Sequence, residues 1–447
     1  MTTASRSLFF SLLLVALLCA SAASQTAHAS APPGQARQLI AIAVTGTKRF
    51  PQEAVAAATG LQMNTTVGED DFKKAARRLG DTGAFSDIAY TYTFSSVGTK
   101  LEFHVTDADK FLPARFEDFV WFTDAQLLAR IKEHVSLFIG ELPANGRLAD
   151  EVSDVLQAML VENGIPGHVN YFRYAKANGP IESIDYSVAD VLIRIRNFEF
   201  TGASDSELPA LQNAAQRLPD REYSRTRLTL LVEHQLLPVY YSRGYLKASF
   251  GEPHPTVVSK PGAESDEGPR NQTVVDVTFA ATPGPQYKLK SLEWSGNHEF
   301  PTETLKKMIP VEPGQVANTI RIAEDLKEVQ KLYGTRGFVN ASAKINAEFD
   351  DAANTVALRI DLKEDYAYHM GDLEFRGLDN SLMAKLRSAW KLRQGEVYDA
   401  SYLGQYLPIA QKLLPSGFDW DVSTHATANV RDKTVDVDLI YSVKVPK

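Results

Sequence analysis

The sequence repeats one pattern, an apolar run that ends in a glycine, at nearly regular intervals. In the clearest copy Leu289, Leu292 and Trp294 precede Gly296. The other copies end at Gly46, Thr123, Gly202 and Gly377, and the widest interval separates Gly202 from Gly296. A period of roughly 80 residues predicts a tandem array of similar structural units.

A second glycine follows each copy after a stretch with helical periodicity. These glycines are Gly83, Gly164, Gly244, Gly337 and Gly417, and their distance from the first landmark is nearly constant. In the fourth copy Ile322, Leu326, Val329 and Tyr333 are spaced four, three and four residues apart, which places them on one helix face. We expect glycines to end this helix, at Gly334 and Gly337.

Each unit is predicted to contain three strands and two helices. In the fourth copy a short helix, 303–308, precedes the long one, and two strand-like runs, 339–349 and 355–362, follow it around a hairpin turn. The fold class is therefore α+β. We predict five tandem β-α-α-β-β units, each a three-stranded mixed sheet covered by two helices.

The motif Leu289-x-x-Leu292-x-Trp294-x-Gly296-Asn297, followed by LYGTRGF at 332–338, resembles the POTRA domain. POTRA domains form the periplasmic arm of BamA-type outer-membrane assembly factors and of two-partner secretion transporters. The resemblance implies units at 36–108, 109–190, 191–284, 285–365 and 366–447. A stretch rich in Pro, Gly, Ser and Glu at about 254–273 is predicted to be a mobile insertion in the third unit. Pro238 and Pro408 are expected to kink or shorten their helices.

The sequence departs from that family at its carboxyl end. The family carries a transmembrane barrel after its POTRA domains, whereas here the last predicted strand, 434–445, is followed only by Pro446 and Lys447. We therefore expect an array without a barrel. A barrel that was lost, one that is encoded separately and a truncated reading frame all remain open.

The first residues predict export from the cytoplasm. The apolar run from Leu8 to Ala20 is preceded by Arg6, and Ala27-His28-Ala29 fits a cleavage site, so that 1–29 is a predicted signal peptide. We expect a periplasmic protein, with peripheral attachment to the outer membrane as an option and no integral membrane segment in the mature chain. Net charge is −8, which gives no basic footprint for nucleic acid.

Catalytic chemistry has no support in the sequence. His298-Glu299 begins like a zinc-protease helix, but Thr302 stands where the second histidine would be, and Pro301 opposes a helix there. The glycine after Trp294 lacks the further residues of a phosphate loop, and a positive φ angle explains it. No catalytic residue, metal site or cofactor is predicted, and the protein is not expected to be an enzyme.

The sheet edges are the predicted functional surfaces, because an extended polypeptide can pair with an unpaired strand. The candidate edge-strand residues are Tyr245, Lys247, Ser249, Val339, Ala341, Ala343 and Ile345. The expected partners are envelope proteins or nascent outer-membrane polypeptides. One alternative is an architectural docking arm for a separately encoded barrel, without clients of its own. Another is an envelope hydrolase, which no motif favours.

Overall fold

The computed structural model describes residues 37–176, 179–260 and 272–443. The predicted signal peptide lies outside the described residues. The chain divides into two compact units, one reaching Phe111 and including Pro143–Leu148, the other holding the remaining residues. The described residues form five small sheets, which define segments 1 to 5 in chain order.

The elements follow one order with local additions. Segment 1 contains β1 (Arg37–Thr45), α1 (Gln52–Ala58), β2 (Thr66–Val67), α2 (Glu69–Asp81), β3 (Phe85–Ser95) and β4 (Gly98–Asp107). Segment 2 contains β5 (Phe111–Phe116), α3 (Asp124–His134), β6 (Glu141–Pro143), α4 (Leu148–Glu162), β7 (His168–Ala175) and β8 (Ile181–Ala189).

Segment 3 contains β9 (Leu192–Thr201), α5 (Leu208–Ala215), α6 (Arg225–Leu231), α7 (Leu237–Tyr241), β10 (Ser249–Phe250), β11 (His254–Ser259) and β12 (Gln272–Thr282). Segment 4 contains β13 (Lys288–Ser295), α8 (Thr302–Met308), α9 (Thr319–Gly334), β14 (Ser342–Asp350) and β15 (Thr355–Lys363). Segment 5 contains β16 (His369–Arg376), α10 (Asn380–Ala389), α11 (Tyr402–Leu413), β17 (Trp420–Asn429) and β18 (Thr434–Val443).

The last strand of each segment, here called the closing strand, lies in the middle of its sheet. Closing strands β4, β8, β12, β15 and β18 pair in parallel with the first strand of their segment and antiparallel with the strand just before them. The strand before the closing strand therefore lies at the edge of the sheet. The predicted mixed α+β architecture is confirmed.

The prediction of three strands per sheet is wrong for segments 1, 2 and 3, whose sheets have four. In segments 1 and 2 the added strand is short and comes just before the long helix. In segments 4 and 5 the same place holds only single bridges, Lys288 to Val316 and His369 to Val397. In segments 1 and 2 the extra strand is thus an extension of a contact that the corresponding linkers of segments 4 and 5 also make.

The third segment corrects the predicted mobile insertion at 254–273. Residues His254–Ser259 form β11, which pairs antiparallel with β12, and β12 itself begins at Gln272. The run of Thr256, Val257 and Val258 suits a strand, although proline and glycine enrichment around it favours a loop. Residues 261–271 of the predicted insertion lie outside the described residues.

The assignment of Thr123 to the glycine position is also wrong. Strand β5 ends at Phe116, and Thr123 is the N-cap of α3, where its side chain and that of Gln126 form a capping box. Between them Val120 and Trp121 pack against the core of segment 3. The apolar spacing of Phe116, Phe119 and Trp121 therefore runs past the end of the strand and includes Trp121, which contacts segment 3.

The helix in segment 4 is confirmed in detail. Ile322, Leu326, Val329 and Tyr333 are all buried, and α9 ends at Gly334. Gly337 follows with a φ of 85°.

Proline acts in a specific way in the long helical stretch of segment 3. A π-helical stretch, 232–236, separates α6 from α7 just before Pro238, which cannot donate a helical hydrogen bond. In segment 5 Pro408 lies inside α11, which is shorter than α9. Both helical stretches are therefore interrupted or shortened, as the sequence predicts.

The contacts that join segment 3 to segment 4, and segment 4 to segment 5, share one geometry; such a contact between consecutive segments is here called a joint. The backbone N–H of Tyr287 donates to the carbonyl of Gly244, and that of Tyr368 donates to the carbonyl of Gly337, each at 2.8 Å. A Cβ on Gly337 would lie 2.5 Å from the Tyr368 carbonyl oxygen. The glycine that follows the long helix thus also lets the next segment approach closely.

We predict that Gly337→Ala destabilises the chain more than Gly417→Ala. Both glycines have a positive φ, 85° and 96°, but a Cβ on Gly417 meets no heavy atom within 4 Å. The φ cost alone is ~1 to 2 kcal/mol, and only Gly337→Ala adds the clash with segment 5. Denaturant unfolding of both variants measures the difference, and equal losses would show that the joint is not tightly packed.

The contact between segments 2 and 3 adds a polar network to the apolar packing of Val120 and Trp121. Glu117, 9 % exposed, accepts hydrogen bonds from the N–H and the hydroxyl of Thr226, both at 2.9 Å. Arg225 makes a bidentate ion pair with Asp124. Asp118 lies beside this network, and burial, followed by repulsion from Glu117 and Glu222, raises its pKa to about 7.

The raised pKa of Asp118 predicts a stability that depends on pH. The folded chain holds the Asp118 proton more tightly than the unfolded chain, so the free energy of unfolding should fall as pH rises from about 4 to about 7. Asp118→Asn cannot ionise, so its stability should not fall in this way. The unfolding midpoint of the variant minus that of the wild type should therefore be larger at pH 8 than at pH 4. A difference that is the same at both pH values would contradict the assignment.

Candidate edge-strand binding surfaces

Two edge strands are long and free of bulges. β14 pairs with β15 over nine consecutive residues, and β17 pairs with β18 over ten, without a shift of register. The pairing of edge strands β3, β7 and β11 with their closing strands shifts register once in each case. Bulges twist an edge away from further pairing, so β14 and β17 are the described edges best suited to receive another strand.

Strand β14 presents two different faces. Ala343 and Ile345 pack against the apolar core of segment 4, on the side of the helices. Lys344 and Glu348 are exposed on the opposite face. Phe349, on the helix side near the end of the strand, keeps 39 % of its surface exposed. A strand added beside β14 would meet an apolar margin on one side and charged groups on the other.

Strand β17 is absent from the site residues that the sequence predicts. Trp420, Val422 and Ala428 pack against the core of segment 5, while most of the strand is exposed. It contains neither lysine nor arginine, the residues that most often protect an edge from pairing. The alternation of apolar and polar residues from Trp420 to Ser423, with Ala426 and Ala428 at the same spacing before a turn, is the sequence signal that could have identified it.

The predicted residues in segment 4 are only partly on the edge. β14 begins at Ser342, so Ala343 and Ile345 belong to it, whereas Val339 and Ala341 precede it in the turn after α9. The sequence places the start of the strand too early because 339–341 continues the apolar alternation. These residues instead complete the helix-ending turn, in which Ala341 N–H donates to the Phe338 carbonyl.

The predicted edge in segment 3 is largely a joint. Tyr245 and Lys247 lie outside any strand, and only Ser249 is in one, the short β10, opposite Thr282. Lys247 Nζ donates to both carboxylate oxygens of Asp351, at 2.7 and 2.8 Å, which lowers the pKa of Asp351. Lys247 also lies over the Phe349 ring. It therefore links segment 3 to segment 4.

His298 and Glu299 have a structural setting. Their backbone N–H groups donate to Glu364 Oε1, at 2.6 and 2.8 Å, and the Tyr333 hydroxyl donates to the same oxygen at 2.9 Å. Burial acts to raise the pKa of Glu364, but these hydrogen bonds outweigh it and hold the pKa below its ordinary value. In residues 37–176, 179–260 and 272–443 no group of three His, Cys, Asp or Glu side chains could hold a metal ion.

Helix length and composition bear on membrane insertion. Among the residues that the structure describes, no helix combines the length and the apolar character that crossing a bilayer requires.

Comparisons with known proteins agree with this fold. Residues 287–365 match the POTRA family model, described as a surface antigen variable number repeat. A protein of Treponema pallidum (strain Nichols), described as a "Putative outer membrane protein assembly factor", is 23 % identical over 162 residues. The match covers 36 % of this chain and 18 % of that protein, so the chain spans less than a fifth of the length of this curated relative.

Solved structures of POTRA domains are also similar to parts of this chain. The crystal structure of POTRA domains 3–5 of Haemophilus influenzae BamA is 21 % identical, with a TM-score of 0.42, over 57 % of this chain and 97 % of that one. POTRA domains 1–3 of Omp85 from Anabaena are 15 % identical, with a TM-score of 0.23, over 57 % and 96 %. The predicted resemblance to POTRA domains is confirmed, and residues 287–365 carry the match to the family model.

Proposed function

We propose that the chain is a periplasmic scaffold that captures partner proteins or unfolded outer-membrane polypeptides by strand addition to its sheet edges, in support of outer-membrane protein assembly or secretion. The observation that carries the proposal is the pair of regular edge strands, β14 and β17, each paired on one side only among the described residues. The POTRA match and the description of the Treponema relative support the proposed role in outer-membrane protein assembly.

The backbone supplies the mechanism. In an antiparallel pair alternate residues point their N–H and C=O groups away from the neighbour, so β14 and β17 direct every second residue outward. An extended polypeptide can bond to these groups whatever its side chains, which suits a client range of many unfolded sequences. A single edge binds weakly. Several edges in one chain raise the effective concentration of the bound polypeptide.

The joints favour a second candidate, an architectural arm. Close packing at Gly244 and Gly337 and the Lys247–Asp351 ion pair hold segments 3, 4 and 5 against one another. Such an arm would position a fixed partner without capturing clients. Capture from an envelope extract separates the candidates, because an arm recovers one partner and a client-binding scaffold recovers many outer-membrane polypeptides.

We predict that one of two adjacent proline substitutions in β17 weakens capture without weakening the fold. Thr424 and His425 point their N–H groups to opposite sides of the strand, so one N–H bonds to β18 and the other faces outward. Proline at the outward position should leave the unfolding midpoint near the wild-type value and reduce capture of an unfolded outer-membrane polypeptide about fivefold.

The neighbouring proline is the matched control, because it breaks a sheet bond and should lower the unfolding midpoint. Asn346 and Ala347 offer the same pair in β14. Unfolding midpoints identify the outward variant of each pair, and titration with labelled polypeptide gives its affinity. If the outward variants of both strands, alone and combined, capture as well as the wild type, strand addition at these edges is wrong.

A further inference from the structure

The exposed side chains of β14 are arranged symmetrically about its centre. Asn346 is the middle residue of the strand, and Lys344 and Glu348 lie two residues before and after it. All three point to the face away from the helices, because side chains two residues apart share a face. An antiparallel copy of the same strand, centred on Asn346, would place Lys344 of each copy opposite Glu348 of the other.

The helix-side face is complementary in the same register. Ala343 would lie opposite Phe349 of the second copy, and Ile345 opposite Ala347. Ala343 and Ile345 already border the apolar core of segment 4, and Phe349 keeps 39 % of its surface exposed. Apolar side chains would therefore face one another beside both cores, and opposite charges would face one another on the outer side.

Local conditions favour pairing at this edge. β14 has no bulge, and neither Lys344 nor Glu348 makes an ion pair among the described residues. Glu348 lies opposite Ala357 in its own sheet, and Lys344 lies opposite Asp361. The Asp361 carboxylate already accepts hydrogen bonds from Ser295, Arg359 and Asn346. Lys344 and Glu348 are thus available to form ion pairs with a second chain.

The other strands that precede a closing strand lack this symmetry. β17 carries one carboxylate, Asp421, and neither lysine nor arginine, while β3 carries Asp87 without a basic residue. β7 carries Arg173 without a carboxylate, and β11 carries neither kind. Lysine on an edge usually prevents pairing, but in β14 a glutamate stands where a two-fold partner would meet it.

We infer that two copies of this chain associate through β14, which pairs antiparallel with its own copy about Asn346 and joins the two three-stranded sheets of segment 4 into one. The inference goes beyond client capture. It assigns β14 a self-complementary interface, so that β14 is open to clients only in the monomeric chain, whereas β17 is open in monomer and dimer alike. The β17 proline test is therefore independent of it.

Charge reversal tests the interface. Glu348→Lys places two positive charges together twice per dimer, and Lys344→Glu places two negative charges together, so each variant alone should weaken association at least about tenfold. An equimolar mixture of the two variants restores opposite-charge pairing and should form a heterodimer with an affinity within about threefold of the wild type. Sedimentation over a concentration series, with one variant labelled in the mixture, measures the dissociation constants of the wild type, of each variant and of the heterodimer.

Lys307→Glu is the control. It makes the same change of charge as Lys344→Glu, but on the exposed surface of α8, outside β14. It should associate as the wild type does, and unfolding midpoints of all variants should confirm that each is folded. A wild-type chain that stays monomeric at every concentration overturns the inference. So does a dimer that neither reversal weakens, or two weakened variants whose mixture does not recover.

Discussion

Pairing of the closing strand on both sides is the constraint on which the other features depend. In segments 4 and 5 the central strands β15 and β18 each pair with two strands: in parallel with the first strand of the segment and antiparallel with the preceding strand. The alternate residues of β15, Val356, Leu358, Ile360 and Leu362, are all buried beneath the helices. Because both sides of the closing strand are occupied, the unpaired backbone falls on the first and the preceding strand, and of these two only the preceding strand pairs without a shift of register.

The same arrangement accounts for the repeated glycines. At Gly296 the chain leaves the first strand and turns against the closing strand, so that a Cβ would lie 2.1 Å from the Leu362 carbonyl oxygen. A φ of 77° allows the turn. At Gly337 the helix has ended and the next segment approaches. Both glycines serve packing, which leaves the regular edges β14 and β17 as the surfaces where function is sought.

Periodicity within a segment was enough to predict several features. The buried face of α9 and the strands near 342–350 and 355–363 followed from local spacing. Joints between segments could not be predicted in this way. Trp121 continues the apolar spacing of Phe116 and Phe119 but packs on segment 3, and Lys247, a predicted edge residue, binds Asp351 in segment 4. Such contacts join residues that are far apart in the chain, so local spacing carries no trace of them.

Regularity of an edge was equally hidden from the sequence. Whether a strand carries a bulge depends on its register with the closing strand, so β7 and β17 could not be distinguished by composition. Residue-level amide hydrogen exchange of the monomeric chain, with and without a bound unfolded outer-membrane polypeptide, tests the account most directly. We expect added protection at alternate residues of Ser342–Asp350 and Trp420–Asn429. Unchanged exchange in both strands while the polypeptide is bound would contradict it.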